Sequence, residues 1–273
     1  MLIYPPSKIN IGLYVTDRRD DGYHNINSLF YPLKLCDILE WVPGGNTETL
    51  PDHLELTGLL IPGAAEENLL YKVCRLIREK ADLPGVKMHL HKIIPTGAGL
   101  GGGSSDAAGL LKVLGNFVKP VLNDFELRTI ALQLGSDCPF FLNPVPSLAK
   151  GRGEVLSELN PGLRGYWLSV FNPGIHISTS DAYKKVKIGN PEYPLDEILK
   201  EQPGFWKGKV LNVFEDPVFT MFPAVKELKE ALYKSGAEYA SMTGSGSSVF
   251  GIFKSEPAWK GRLADSLIWT EQL

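Results

Sequence analysis

The chain has 273 residues, and its charges nearly cancel: 28 Lys and Arg against 31 Asp and Glu give a net charge of −3. This length allows one large domain or two small ones, and an apolar content of 44% is ordinary for a folded protein and argues against disorder. A near-neutral chain lacks the clustered positive charge that nucleic-acid binding requires, and no apolar run is long enough to span a bilayer. We therefore expect neither nucleic-acid nor membrane binding.

The cysteines and histidines argue for a protein without disulfides or a bound transition metal. Cys36, Cys74 and Cys138 cannot all pair and show no CxxC spacing. They indicate reduced thiols, and with no secretory or transit-type leader at the N-terminus we expect a cytoplasmic protein. His89 and His91 alternate in a strand-like stretch, but no carboxylate or cysteine cluster completes a metal site, so both are predicted to lie on a strand surface.

Periodicity and turn residues predict the elements of the first half. In chain order these are a strand over 3–15, a polar turn over 17–22, a helix over 67–81 capped by Asn68, a strand over 86–92 closed by Pro95, a glycine-rich loop over 97–103, a helix beginning near Ser104, Ser105 and Asp106, and a helix over 124–134 that stops at Gly135.

The second half has a different pattern, and a soft domain boundary is expected near 145–155. Its predicted elements are a hairpin over 147–157, a strand over 166–171, a loop-rich stretch over 185–210, a helix over 224–234, strands over 238–243 and 247–253, and a closing helix over 257–268. Strands and helices mix without regular βαβ alternation, which favours an α+β fold over a doubly wound sheet.

The glycine-rich loop is the most informative segment. Pro95-Thr-Gly-Ala-Gly-Leu-Gly-Gly-Gly-Ser-Ser105 follows a predicted strand and opens a predicted helix, and five of the seven residues 97–103 are glycine. Glycines leave main-chain amides unshielded, and a helix start adds unpaired donors and the positive end of the helix dipole, so the loop predicts a phosphate cradle. The hydroxyls of Ser104 and Ser105 suit a phosphate oxygen or a Mg²⁺ ion.

Residues 97–102 also match the GxGxxG fingerprint of dinucleotide-binding proteins. That fingerprint belongs after the first strand of a βαβ unit, whereas this loop lies well inside the chain. Asp124 stands near the spacing of a ribose-binding acid and equally fits a helix cap. No Walker A motif is present, because Gly208-Lys209 is not followed by Ser or Thr. An NAD-dependent oxidoreductase is therefore the alternative to an enzyme that uses a nucleoside triphosphate.

Two further residues have chemically useful side chains. Lys8 lies in the first strand beside Ser7 and Asn10, where a solvated lysine is the alternative. Asp137 stands between a helix stop and an apolar run, where a cap or turn aspartate is the alternative. An acid partly buried there needs a partner, and a cation such as Lys8 would keep it ionised.

Two short segments complete the set of motifs. Gly22-Tyr-His24 offers an aromatic face and a polar ring in a loop, with turn packing as the alternative. Thr243-Gly-Ser-Gly-Ser-Ser248 is a second glycine turn between predicted strands, typical of a hairpin with a bulge or of a close approach between main chains.

In this order the motifs resemble those of the GHMP kinases, from the first strand to about residue 253. Ser7-Lys-Ile-Asn-Ile-Gly-Leu13 with Asp21-Gly-Tyr-His24 is similar to the opening of one member of that family. Residues 95–108 are similar to the family's ATP loop, and Thr243-Gly-Ser-Gly246 to its C-terminal glycine motif. Gly135–Pro139 and Asn68–Leu70 add support. Two segments depart from the pattern: Asn212-Val-Phe-Glu215, where Asp is often second, and Thr243, where Ser is common.

The resemblance implies a two-domain α+β architecture. Residues 1–150 would form an N-terminal GHMP kinase domain similar to ribosomal protein S5, with the ATP loop and the catalytic residues. Residues 151–273 would form a C-terminal ferredoxin-like α/β sandwich. It also implies ATP and Mg²⁺ as cofactors and a small-molecule acceptor, a cytidine diphosphate derivative of methylerythritol that is phosphorylated on a tertiary hydroxyl. We expect a monomer or a weak homodimer.

The resemblance also implies site residues by position. Asp137 matches the family's catalytic base, and Lys8 matches its partner lysine. The residues implied to hold ATP are Pro95, Thr96, Gly97, Ala98, Gly99, Leu100, Gly101, Gly102, Gly103, Ser104, Ser105 and Asn68. The residues implied to hold the cytidine end are Tyr23, His24, Thr179 and Tyr183, the last as a ring that stacks on cytosine. No protein ligand of the metal is assigned.

The chemistry fits these roles. A tertiary alcohol is a poor nucleophile, so a base must lie within hydrogen-bond reach of it. An aspartate is a weak base, and we expect Asp137 to orient the hydroxyl and take its proton late, while Lys8 offsets charge on the hydroxyl or the γ-phosphate. Two alternatives within the fold are a kinase for another acceptor, such as homoserine, mevalonate or galactose, and a non-catalytic metabolite sensor. A sensor would be expected to lose the base or the loop, and both motifs are present.

Overall fold

The computed structural model describes residues 1–44 and 52–273. Its strands are β1 (Leu2–Ile3), β2 (Pro6–Arg18), β3 (His24–Cys36), β4 (Ile38–Pro43), β5 (His53–Gly58), β6 (Val86–Lys92), β7 (Ser147–Lys150), β8 (Val155–Glu158), β9 (Trp167–Phe171), β10 (Tyr239–Met242), β11 (Val249–Phe253) and β12 (Leu267–Gln272). Its α-helices are α1 (Leu69–Arg78), α2 (Gly102–Phe117), α3 (Asp124–Leu134), α4 (Cys138–Phe141), α5 (Thr179–Lys185), α6 (Leu195–Ile198), α7 (Glu215–Met221), α8 (Pro223–Lys234) and α9 (Arg262–Ser266), with 3₁₀ turns at Ala65–Glu67 and Pro203–Phe205.

The described chain divides into two compact units that alternate along the sequence. The first unit comprises Met1–Ser7, Leu33–Thr96 and Gly101–Pro144, and the second comprises Lys8–Pro32, Gly97–Leu100 and Val145–Leu273. The predicted linear division into residues 1–150 and 151–273 stays a prediction.

The first unit packs helices α1, α2 and α3 together beside a four-stranded sheet. The strand order is β1-β4-β6-β5, with β6 antiparallel to β4 and parallel to β5. Strand β6 follows the predicted alternation, because Val86, Met88 and Leu90 are buried. Helix α2 buries Leu110 and Leu114 completely and contacts α1, α3 and α4, so it lies at the centre of this unit's helices.

The second unit contains two four-stranded sheets, ordered β2-β3-β7-β8 and β10-β11-β9-β12. The second of these sheets is antiparallel throughout. Read from the β12 edge, the strands occur in the order fourth, first, third and second along the sequence, counting β9 as the first, which is the order of a ferredoxin-like βαββαβ sheet. The α+β class and the ferredoxin-like C-terminal sheet predicted from the sequence are confirmed.

Most of the predicted elements exist, and one is wrong. The strand over 86–92 and the helix over 124–134 have the predicted bounds, and the hairpin forms from β7 and β8. The closing helix over 257–268 does not form as predicted. Only α9 is helical there, because Leu267–Gln272 pairs with β9 and completes the sheet. Helix α2 begins at Gly102, so Ser104 and Ser105 lie inside its first turn.

Two further expectations concern the protein's surroundings and its thiols. Within residues 1–44 and 52–273, no helix combines the length and apolar character required to cross a bilayer. All three cysteines are free thiols: Cys74 and Cys138 are buried, and Cys36 is partly buried.

Candidate functional site

The glycine loop alternates between two backbone conformations. Gly97, Gly99 and Gly101 have φ values of 67°, 78° and 73°, in the left-handed region that favours glycine. The residues between them, Ala98 and Leu100, are buried and do not have positive φ. Left-handed residues that alternate with residues of negative φ are a feature of main-chain nests that bind anions.

The loop is anchored through its carbonyl groups. Three successive carbonyl oxygens accept hydrogen bonds within the second unit: Ala98 from the Ser248 amide at 3.3 Å, Gly99 from the Thr243 hydroxyl at 3.1 Å, and Leu100 from the Lys8 amide at 2.9 Å. The main-chain amides of residues 97–104 donate to no acceptor in the part of the chain that the structure describes. An immobilised loop with unused donors at a helix start suits an anionic ligand such as a phosphate group.

The second glycine turn lies directly against this loop, as a close approach of two main chains. A Cβ atom on Gly99 would lie 2.1 Å from the carbonyl oxygen of Thr243, and one on Gly244 would lie 2.9 Å from the Cα of Gly99. No side chain fits in either place. The two glycine motifs of the sequence are therefore one packed arrangement within the second unit.

Lys8 is buried, with a relative exposure of 4%, so the alternative of a solvated lysine is wrong. Its Nζ donates to Oδ1 of Asn10 at 2.6 Å and lies 4.6 Å from the ring centroid of Phe30. A buried ammonium group is costly unless oxygen atoms and an aromatic face compensate for lost hydration, as they do here. The main-chain amide of Asn10 in turn donates to the Thr243 hydroxyl at 2.9 Å. The same local network therefore supports Lys8 and the glycine loop.

Asn212 and Glu215, which follow the loop-rich stretch, hydrogen-bond to the main chain at and next to the second glycine turn. The side-chain amide of Asn212 donates to the carbonyls of Met242 and Gly244 at 2.7 and 2.9 Å. The buried carboxylate of Glu215 accepts from the Met242 amide at 2.9 Å. These contacts explain what Asn212 and Glu215 do in the segment that departs from the family pattern. The departing residue, Val213, contributes a main-chain bond from its amide to the Leu13 carbonyl.

In the first unit, the start of α2 presents one accessible hydroxyl. Ser105 is 1% exposed, and its Oγ has no partner among the described residues. Ser104 is partly exposed and interacts with the thiol of Cys138. Burial raises the pKa of the Cys138 thiol to about 12, and the interaction with Ser104 offsets part of the rise. Of the two predicted hydroxyls, Ser104 is therefore the more exposed, and the roles of both stay predictions.

Asp137 immediately precedes α4 and is partly buried. It occupies the N-cap position, but its side chain makes no capping hydrogen bond, so a capping role does not account for an acid here. The contact between Cys138 and Ser104 connects the segment of Asp137 to the first turn of α2 within the first unit. Asn68 does serve as a cap: its Oδ1 accepts from the Leu70 amide at 3.0 Å.

The predicted residues for the cytidine end cluster in the second unit. The His24 and Tyr183 rings lie 4.9 Å apart between centroids at 32°, and Tyr183 also packs edge-on against buried Phe214. Thr179 bonds to Ser245 of the second glycine turn at 3.1 Å. Tyr23 is half exposed. The structure thus brings His24 and Tyr183 into direct contact and places Thr179 beside a glycine motif.

Arg152 belongs to this cluster, although the sequence patterns assign it no role. Its guanidinium carbon lies 3.6 Å from the centre of the Tyr23 ring. The turn that carries it is held by a bond from the Ile26 amide to the Gly151 carbonyl at 2.7 Å. A cation between two glycines in a tight hairpin is the signal that could have identified it. A guanidinium here adds positive charge beside the aromatic residues.

The remaining donors indicate how a metal ion would be held. Among residues 1–44 and 52–273, no group of three or more His, Cys, Asp or Glu side chains forms a metal site. His89 and His91 instead share the hydroxyl of Thr57 on an exposed strand surface. In phosphoryl-transfer enzymes, Mg²⁺ is commonly bound by one or two carboxylates together with substrate phosphates.

The dinucleotide alternative finds no support in the geometry. Asp124 is the first residue of α3, beside the capping box that Asn123 and Glu126 form. The strand before the loop, β6, lies between antiparallel β4 and parallel β5 rather than at the start of a parallel βαβ unit.

Comparisons with known proteins give a consistent result. Residues 68–143 match the GHMP kinases N terminal domain, and residues 196–258 match the GHMP kinases C terminal domain. A 4-diphosphocytidyl-2-C-methyl-D-erythritol kinase of Porphyromonas gingivalis is 43% identical, covering 98% of both chains. One of Cytophaga hutchinsonii is 44% identical, covering 94% of both. A crystal structure of 4-(cytidine 5'-diphospho)-2C-methyl-D-erythritol kinase superposes with a TM-score of 0.75 at 37% identity, covering 92% of this chain and 90% of the other.

Proposed function

Because this chain belongs to the GHMP kinase family, we propose that it transfers the γ-phosphoryl group of ATP to the 2-hydroxyl of 4-diphosphocytidyl-2-C-methyl-D-erythritol. The products are the 2-phosphate and ADP, and the reaction is a step of non-mevalonate isoprenoid biosynthesis. Relatives named 4-diphosphocytidyl-2-C-methyl-D-erythritol kinase match nearly the whole chain, at 43% and 44% identity. Neither the oxidoreductase alternative nor a non-catalytic sensor has comparable support.

The observation that carries the proposal is the glycine loop with its carbonyls bound and its amides unused. Phosphoryl transfer needs little covalent chemistry from the protein, so positioning and charge stabilisation dominate. The amides of residues 97–104 and the start of α2 would hold the phosphates of ATP, and Ser104 would add a hydroxyl. The Ser104 hydroxyl would be available to a Mg²⁺ ion, which would supply positive charge to the phosphates when bound.

Asp137 and Lys8 are the proposed acid–base and charge-stabilising residues. The carboxylate of Asp137 would accept a hydrogen bond from the tertiary hydroxyl, orient it, and take its proton late as the oxygen bonds to phosphorus and ADP departs. The buried ammonium of Lys8 would offset negative charge on the hydroxyl oxygen or the γ-phosphate. Burial supports this role for Lys8, because a charge in a site with little water acts more strongly than one in solvent.

Aromatic rings and one cation suit the cytidine diphosphate end. The paired rings of His24 and Tyr183 offer a face for a pyrimidine base. Tyr23 and Arg152 lie together in the same unit, and a guanidinium is well suited to a diphosphate. We propose that this cluster selects a nucleoside diphosphate acceptor over the small acids and sugars that other GHMP kinases phosphorylate.

A coupled assay for ADP release tests the function. We expect turnover with the cytidine substrate and none above background with homoserine, mevalonate or galactose. Release of ADP with one of those three but not with the cytidine compound would overturn the acceptor while leaving the kinase assignment in place. Thermal stabilisation by NAD but not by ATP with Mg²⁺ would overturn the kinase assignment itself.

A further inference from the structure

The first unit contains a buried ion cluster that the proposed reaction does not use. The Lys92 ammonium contacts Oδ2 of Asp37 and lies 2.8 Å from Oδ2 of Asp106. The three side chains are 2%, 0% and 4% exposed, in that order. Charged groups are rarely buried in this way, because the loss of hydration often exceeds the gain from pairing. Such a cluster therefore calls for a role beyond packing.

Asp37 binds the main chain of the residues that precede the glycine loop. Oδ1 of Asp37 accepts hydrogen bonds from the amides of Ile93 and Ile94, at 2.6 and 2.8 Å. These two residues connect β6 to the loop. Asp37 thus fixes their main chain while its other oxygen contacts Lys92.

Lys92 and Asp106 lie at the start of α2, which follows the glycine loop. Asp106 is in the second turn of α2, and its Oδ2 accepts from Lys92. A Cβ on Gly102, the first residue of α2, would lie 2.9 Å from the Lys92 Nζ. The ammonium is therefore packed directly against the main chain at the helix start, and the absence of a side chain on Gly102 makes room for it.

We propose that Lys92, through Asp37 and Asp106, is a positioning residue that fixes both ends of the phosphate-binding segment. Because the Lys92 side chain is buried, it would act through the main chain and not by contact with the acceptor or the reacting atoms. The inference rests on the proposed binding of ATP by the loop. A loop whose ends are fixed before binding loses less conformational freedom when the ligand arrives, so the cluster lowers the cost of binding the triphosphate. Its removal should weaken ATP binding selectively.

A matched pair of substitutions at Asp106 tests this role. Asp106→Leu removes the acceptor on α2 while leaving Lys92 paired with Asp37, so no buried charge is left alone. Asp106→Asn has a similar shape and keeps an oxygen that can accept from Lys92. Leu114→Ala is the control, because it creates a cavity in the same helix away from the loop. Lys92→Met is less suitable, because it would leave two buried carboxylates unpaired.

The measurements are the dissociation constant of AMPPNP by calorimetry and the KM values for ATP and for the acceptor. For Asp106→Leu we expect ATP affinity to fall about tenfold, as when a supporting partner of a binding group is removed, with the acceptor KM within about twofold of wild type. Asp106→Asn should restore most of the ATP affinity. Leu114→Ala should lower the melting temperature without changing the KM for ATP.

Each outcome bears on a distinct claim. Wild-type ATP affinity in Asp106→Leu would overturn the positioning role alone. So would a loss of ATP affinity in Leu114→Ala as large as that in Asp106→Leu, because the effect would then follow general destabilisation. A wild-type protein that fails to bind AMPPNP would overturn the proposed function, and with it this inference.

Discussion

The main-chain amide of Asn10 donates to the hydroxyl of Thr243 at 2.9 Å, although 233 positions separate the two residues. The same hydroxyl donates to the carbonyl of Gly99 at 3.1 Å. One side chain therefore connects the strand that carries Lys8 to the loop proposed to hold ATP. The family often has serine at this position, and the structure shows why either residue serves: the contacts use the hydroxyl, which both side chains possess.

Replacing Thr243 by Ser and by Val should therefore have different effects. Thr243→Ser keeps both hydrogen bonds and should leave kcat and the melting temperature close to wild type. Thr243→Val has nearly the same shape but leaves the buried Asn10 amide without an acceptor, which should cost about 1–3 kcal/mol of unfolding free energy. Urea unfolding and the KM for ATP measure the two effects. Equal stability of the two variants would contradict the role of the hydroxyl.

The proposed base can be tested by removing its charge alone. Asp137→Asn keeps the size of the side chain but cannot accept a proton from the acceptor hydroxyl, so we predict a fall in kcat of about 10²–10⁴-fold, the usual contribution of general base catalysis. The KM for ATP should change little, because the loop amides are untouched. Asp124→Asn, an exposed acid-to-amide change at the start of α3, is the matched control and should retain full activity. Near-normal turnover in a folded Asp137→Asn protein would exclude Asp137 as the base.

Local features of the fold could be predicted because the signals lie close together in sequence. The alternation in β6, the stop of α3 at Gly135 and the hairpin of β7 and β8 depend on a few adjacent residues, and all three are present. The prediction of a closing helix is wrong because the deciding contact comes from a segment distant in sequence. Leu267–Gln272 becomes a strand because it pairs with β9, about a hundred residues earlier, and tertiary pairing overrides local preference.

The same distinction holds at the site. Five glycines next to a helix start predict an anion-binding loop, and three of these glycines have the positive φ that glycine permits. The burial of Lys8 and the contact of Arg152 with Tyr23 depend on distant segments, which the sequence pattern alone does not bring together. The alternation of β6 places Lys92 on the same face as buried Leu90, but the two aspartates that pair with it lie on other segments, so the sequence pattern does not reveal the cluster.

A single methyl group at Gly99 should disable the loop. The Cβ would lie 2.1 Å from the carbonyl oxygen of Thr243, and φ is +78°, so Gly99→Ala meets both a main-chain clash and backbone strain. We predict a clear fall in melting temperature and at least a tenfold loss of ATP affinity, about 1.4 kcal/mol or more. Gly189→Ala, where a Cβ would meet nothing within 4 Å, is the control and should leave both unchanged. A Gly99→Ala protein with wild-type ATP affinity would contradict the close packing of the two glycine motifs.

The buried acid at Asp106 should make stability depend on pH. The pKa of Asp106 is raised to about 7, chiefly because burial removes the hydration of its carboxylate. The positive charge of Lys92 lowers this pKa, and the negative charge of Asp37 raises it. The carboxyl group in the unfolded chain has a pKa of about 3.9. Between these values the folded protein holds a proton that the unfolded chain releases. The stabilisation from Asp106 is therefore fully present below about pH 4 and is lost as the pH rises through about 7.

Asp106→Asn isolates this effect because its side chain does not titrate. We predict that the unfolding free energy of wild type relative to Asp106→Asn falls from pH 5 to pH 8, measured by urea unfolding without nucleotide. Other titrating groups, apart from those coupled to Asp106, contribute equally to both proteins and cancel. A difference that rises with pH would mean that pairing with Lys92 outweighs the loss of hydration, contrary to the direction predicted here.

The thiols report whether the segment next to Asp137 is closed in solution. Burial raises the pKa of Cys74 and of Cys138 to about 12 each, so at pH 8 only about one molecule in 10⁴ has either thiol ionised, and the thiolate is the reactive form. We predict that iodoacetamide labels the native protein at Cys36 or not at all, and labels all three cysteines in urea, as read by peptide mass spectrometry. Because Cys138 directly follows Asp137, labelling of Cys138 in the native protein at the rate seen in urea would show that this segment opens. The interaction between Ser104 and Cys138 would then not persist in solution.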